Sequence, residues 1–158
     1  MRRLIIAAFG AYLTLGFSAL SQENINPTNP LNIASAIRDL GYKALLEKDS
    51  EGDPVVRSKI DGTNFSIFFY DCINGADCES LQFSAGFNLT DGSNLAAMND
   101  WNRRKRYGKA HLDDDNDPFL RYDFNLGGSG AGISNVTFEE NFLTWEILIR
   151  DFKAHINW

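Results

Sequence analysis

Two neighbouring runs in the middle of this chain alternate with a period of two, and that alternation limits its fold more than any other feature. Phe65, Ile67 and Phe69 alternate with Asn64, Ser66 and Phe68; Leu81, Phe83, Ala85 and Phe87 alternate with Gln82, Ser84, Gly86 and Asn88. Successive side chains of a strand point to opposite faces, so these runs read as half-buried antiparallel strands. Asp61-Gly62, just before the first run, is a strong two-residue hairpin signal and pairs that run with a strand over 54–61. Further strands are expected over 42–48, 106–112 and 119–126, with turns at 49–53 and 113–118.

Helical spacing appears in three places. Asn29 can cap a helix whose first turn holds Pro30 and whose inner side carries Leu31, Ala34, Ile37 and Leu40, ending on Gly41. Ser93 is the expected cap of a second, with Leu95, Met98, Trp101 and Asn102 inward and Arg103-Arg104-Lys105 at its end, where cations suit the helix dipole. Thr137-Phe138-Glu139-Glu140 reads as a capping box that opens the third. Phe138, Phe142, Trp145, Ile149, Phe152 and Ile156 then form an amphipathic stripe. The expected order is α-β-β-β-β-α-β-β-α, and strands running together with segregated helices argue an α+β class.

The N-terminus sets the compartment. Arg2-Arg3, an apolar run over 4–20 and Ala19-Leu20-Ser21 before Gln22 have the form of a secretory signal peptide cleaved before Gln22. The alternative is an uncleaved anchor, but 17 residues of helix reach only ~25 Å against a hydrocarbon core of ~30 Å. The expected organisation is a signal peptide at 1–21, a flexible leader at 22–29 and one domain at 30–158. The protein would be periplasmic or secreted, with no membrane insertion after cleavage. Outside the cytoplasm Cys72 and Cys78 most often pair, although free thiols or metal ligation stay open. A zinc site would need His111 and His155 from elsewhere, and C-x5-C is not the spacing of thiol oxidoreductases.

Charge and motifs exclude more than they assign. The chain carries a net charge of −6, and removing 1–21 deletes two arginines and makes it −8. An acidic chain repels phosphate backbones, so no nucleic-acid partner is expected. Asp113, Asp115 and Asp117 open like a calcium loop, but Pro118 stands where such a loop needs glycine and Phe124 where it needs a bidentate carboxylate. The acidic turn at 49–53 is read in the same way, as a turn. No serine lies in G-x-S-x-G, and the glycines at 127–132 lack a phosphate-loop lysine. No catalytic residue, cofactor or metal site is expected. Two sets remain as candidate partner-binding residues. One is Trp101 with Arg103, Arg104 and Arg106, against the plainer reading of a core tryptophan with helix-end cations. The other is Phe68 and Tyr70, which fall on the opposite face from Phe65, Ile67 and Phe69 and need either a helix or a partner to cover them.

Trp101-Asn102-Arg103, Arg106-Tyr107-Gly108-Lys109-Ala110, Leu112-Asp113-Asp114 and Asp117-Pro118, together with Gly41-Tyr42 and Asp49 to Gly52-Asp53-Pro54, resemble in that order the YbjN family of bacterial proteins. The signal peptide and cysteine pair are similar to secreted members of alphaproteobacterial type. The resemblance implies a fold like that of type III secretion chaperones: three helices on a strongly curved antiparallel sheet of five to six strands. It also implies a sensory transduction regulator label without an established activity. The expected function is a non-catalytic periplasmic binding or interaction protein, chaperone-like or regulatory, whose partner is another protein or a second copy. The alternatives are a structural homodimeric envelope protein and an enzyme whose site the sequence does not reveal.

Overall fold

The computed structural model describes Asn24–Ile25, residues 29–128 and residues 131–158. The expected signal peptide and its cleavage site lie outside these residues. In chain order the elements are β1 (Asn24–Ile25), α1 (Leu31–Asp39), β2 (Ala44–Lys48), β3 (Pro54–Ile60), β4 (Thr63–Tyr70), β5 (Ser80–Gly86), α2 (Leu95–Arg104), β6 (Lys109–Leu112), β7 (Pro118–Asn125), β8 (Ile133–Ser134) and α3 (Asn135–Ile156). Among the described residues, three helices and a six-stranded antiparallel sheet of order β2-β3-β4-β5-β7-β6 give the α+β architecture that the patterning predicts. A second, two-stranded sheet, β1 with β8, was not expected; it draws Asn24–Ile25 out of the stretch read as a leader and buries Ile25. Two-residue strands carry too little alternation to be read from sequence.

Local chemistry accounts for the boundaries. The Asn29 carboxamide accepts the Leu31 N–H at 3.0 Å, and Pro30 already has helical φ and ψ. Gly41 ends α1 at φ +91°, its N–H on Arg38 O at 2.9 Å while the Tyr42 N–H reaches Ile37 O at 3.2 Å. That is the Schellman pattern, and it requires a left-handed residue that glycine adopts without strain. Asp61 and Gly62 both have positive φ and connect Ile60 to its partner Thr63, as a two-residue hairpin demands. Two caps differ from expectation. Asn94, not Ser93, caps α2 by accepting the Ala97 N–H at 3.0 Å. Ser134 caps α3 through the Thr137 N–H at 3.0 Å, so the helix opens before the expected capping box. Leu95 follows the shifted cap outward and is 76% exposed rather than buried.

The core is an aromatic seam between α3 and one face of the sheet. The Phe83 ring on β5 lies 5.6 Å from Trp145, 6.2 Å from Phe142 and 5.5 Å from Phe124. Phe65 on β4 meets the same two α3 rings, and Phe152 meets Trp101 of α2 at 4.9 Å. All six residues of the predicted α3 stripe are buried. Phe83→Ala is expected to cost about 3–5 kcal/mol, because ring and helix cannot close the cavity together; urea unfolding of the variant measures it.

Cys72 and Cys78 are joined at the end of the β4–β5 hairpin, and Cys78 is buried. Closing a loop of about seven residues contributes about 2.4 kcal/mol in the chain-entropy model. Reduction should therefore lower the melting temperature. Thiol titration of denatured, non-reduced protein from its native compartment should find no free thiol, and two would contradict the pairing.

Candidate functional site

The strand register divides the sheet into a helix-covered face and an open one. Ile67, Phe83 and Tyr122 pair across β4, β5 and β7 on the covered side. Their chain neighbours Phe68, Gln82 and Asp123 pair on the other side, as do Ser66, Ser84 and Arg121. Lys109 and His111 of β6 join this face opposite Arg121 and Phe119. Most of its side chains are exposed or half-buried; Gln82, Ser84 and Val55 are the buried ones.

At its centre is a shallow groove of about 480 Å³ lined by Arg57, Ser66, Phe68, Ser84, Gly86 and Phe119. The Phe119 ring lies across Gly86 so closely that a Cβ there would come within 2.7 Å of a ring carbon. Glycine on β5 thus seats the ring of its cross-strand partner, a device that repairs the weakness of glycine in a strand. The Arg57 guanidinium lies 5.8 Å from the Phe68 ring centroid, donates to Ser66 Oγ and stands 3.6 Å from Glu47. Beside the groove, Tyr70 donates to Gln82 Oε1 at 3.3 Å and Gln82 Nε2 donates to Asp123 Oδ1 at 2.6 Å, a polar chain across three strands. Burial, then the charges of Arg121 and Lys109, hold the His111 imidazole below its ordinary pKa.

The expected site residues separate into distinct places. Phe68 and Tyr70 lie on the open face, and among the described residues no helix covers them. Trp101 is a correction: at 1% exposure it belongs to the core, its indole N–H donates to Gly108 O at 2.9 Å, and it offers a partner no surface. Arg103 and Arg104 are exposed on α2 and turn back to Asp100, at 3.7 and 2.9 Å. Arg106 lies over the Tyr107 ring at 5.1 Å. Arg57, Lys109, Phe119 and Arg121 escaped the sequence reading. Each sits at an outward position of its strand, but only the register shows that they share a face.

The acidic turns spend their carboxylates on the backbone. Asp49 Oδ1 accepts the N–H groups of Glu51 and Asp53, and Asp113 Oδ1 those of Asp115 and Asp117, all at 2.9–3.0 Å. Among the described residues no three His, Cys, Asp or Glu converge on a metal-sized site. No described helix is long and apolar enough to cross a membrane.

A family model described as "Putative bacterial sensory transduction regulator" matches residues 29–158. The chain belongs to this family, YbjN. Comparison with curated proteins and with solved structures found no match. YbjN membership supports a regulator-like, non-catalytic role.

At the end of α2, Lys105 bonds Asp151 at 2.8 Å. That bond outweighs burial and, with Arg150, holds the Asp151 carboxyl below its usual pKa. A lowered folded pKa stabilises the fold above the unfolded value, and the contribution is lost as pH falls through the folded one. Lys105→Met should therefore be less stable than wild type at pH 7, by up to about 1 kcal/mol for a partly exposed pair. The gap should close on acidification; urea midpoints at pH 7 and pH 3 measure it.

Proposed function

We propose that this YbjN domain acts outside the cytoplasm as a non-catalytic binding module, and that the open sheet face is where it binds. The occupant is a polypeptide segment presenting apolar side chains beside carboxylates. The composition of that face carries the reading: Phe68 and Phe119 flank a groove bordered by Arg57, Arg121 and Lys109. Aromatic and arginine side chains are the residue types that concentrate binding energy at protein interfaces. In a chain of net charge −6, a cationic sheet face selects an acidic partner and repels the protein's own acidic surface. The N-terminal Arg2-Arg3 and apolar run, together with the Cys72–Cys78 bond, support a location outside the cytoplasm.

A second reading is a homodimer through β2, the edge strand of the sheet, where Leu45 is 64% exposed. A photo-crosslinking residue placed at Ser66 in the full chain, in living cells, separates the two. The expected result is one discrete heterologous adduct that is lost in Phe119→Asp and absent when the crosslinker replaces Leu95. An adduct of twice the chain mass, captured from position 45 only, would establish the dimer instead. Monomer alone from every position would sink both. Phe119→Asp also takes the ring off Gly86 and should lower the melting temperature, so the adduct is scored at a temperature where circular dichroism shows the variant folded.

A further inference from the structure

β6 begins at Lys109 while β7 runs on to Asn125, and a cleft of about 400 Å³ opens at this notch in the sheet edge. Lys105, Arg106, Lys109 and Arg121 line it. Two of these cations are occupied: Lys105 with Asp151 at 2.8 Å, and Arg106 over the Tyr107 ring. The other two are not. Lys109 and Arg121 are direct partners in the β6–β7 register, on one face, which puts their Cβ atoms ~5 Å apart. Like charges so placed destabilise a sheet. Among the described residues no carboxylate lies within 4.0 Å of either cation. The one acid in the cleft, Asp123, already accepts from Gln82 Nε2. Arg121 Nε is, moreover, buried without a hydrogen-bond partner. A buried donor left unmatched is a cost separate from the repulsion.

An oxyanion seated between the two side chains removes the repulsion, and a turn of the Arg121 side chain towards it would give the buried Nε–H its missing acceptor. We propose that this cleft is a binding site for a phosphate-class oxyanion, held by Arg121 and Lys109. A guanidinium matches two oxygens of a tetrahedral anion in a planar fork, and an ammonium meets a third as a point charge. Tyr107, 45% exposed on the rim, gives an ester substituent a flat apolar wall. Arg121 and Lys109 also border the groove proposed for a polypeptide, so the two ligands share these cations, but the anion site itself requires only the cleft and a small anion.

The test is thermal unfolding of protein purified from the full chain, titrated with inorganic phosphate in chloride at constant ionic strength, with NMR observation of arginine Nε–H signals. The expected result is a saturable rise in melting temperature and a shift of the Arg121 Nε–H resonance. Lys109→Gln and Arg121→Gln should each weaken the response at least tenfold, and Arg103→Gln should leave it intact. At low salt without phosphate, Lys109→Gln should melt at or above wild type, since it relieves the repulsion. If Arg121→Gln does not fold, Lys109→Gln decides alone. Phenyl phosphate binding more tightly than phosphate identifies an ester as the natural ligand; equal binding identifies the free anion. A phosphate response no greater than that of chloride, or one that survives both substitutions, overturns the site.

Discussion

The helix–sheet seam organises everything else in this domain. Phe65 and Phe83 lie beneath Phe142 and Trp145 of α3, which among the described helices carries the largest set of buried aromatic residues. Once that face is fixed, the two-residue period of the strands leaves no freedom on the other. Phe68, Ser66, Gln82, Ser84 and Arg121 are turned away from the helices by the same register that turns Ile67, Phe83 and Tyr122 towards them. A slip of one residue in a strand would exchange its two sets, and in β7 it would turn Arg121 towards the aromatic core. The open face therefore follows from the register that builds the core.

The two edges of the sheet are treated differently, and the difference bears on what can dock. At β6 the Asn102 carboxamide imitates a further strand: its Oδ1 accepts the Ala110 N–H at 2.8 Å and its Nδ2 donates to Ala110 O at 3.0 Å. A side chain that satisfies both groups of one residue blocks strand addition there. β2 is guarded more lightly, by the Arg38 guanidinium on Ala44 O at 3.0 Å. Lys48 at its far end adds a charge of the kind that discourages edge pairing. The sealed edge is next to the Lys109–Arg121 notch, so an extended chain cannot continue the sheet there, while a compact anion can enter.

Much of the fold was legible in the sequence because it rests on local rules. The α3 stripe, the Asp61-Gly62 hairpin and the Gly41 helix end each depend on residues within a few positions of one another. The caps were legible only to within a residue or two. Ser93 and Asn94 both carry acceptors, and the path of the chain decides which one reaches the Ala97 N–H. The candidate site was less legible. Phe68 and Tyr70 were found because they interrupt an alternation. The cations beside Trp101 make it look like a site residue in sequence, yet its ring belongs to the core against Phe152. Lys109 and Arg121 are twelve residues apart, and each alone is an ordinary surface cation. Only the β6–β7 register sets them opposite each other.

The disulfide gains a purpose from this geometry. Tyr70, the last residue of β4, lies two positions before Cys72, and Ser80, the first of β5, two positions after Cys78. Between them the Glu79 N–H bonds Tyr70 O at 3.0 Å, and the Leu126 N–H bonds Glu79 O at 2.8 Å, tying the β4–β5 hairpin to the end of β7. The Tyr70–Gln82–Asp123 chain on the open face spans the same three strands. Hairpin ends fray when nothing holds them, and fraying here would loosen first the polar chain and then the Phe68 side of the groove. A covalent clamp at this end keeps the face pre-formed, so a partner need not supply the free energy to order it. An oxidising compartment is then the setting in which this face is most nearly fixed in shape before it meets a partner.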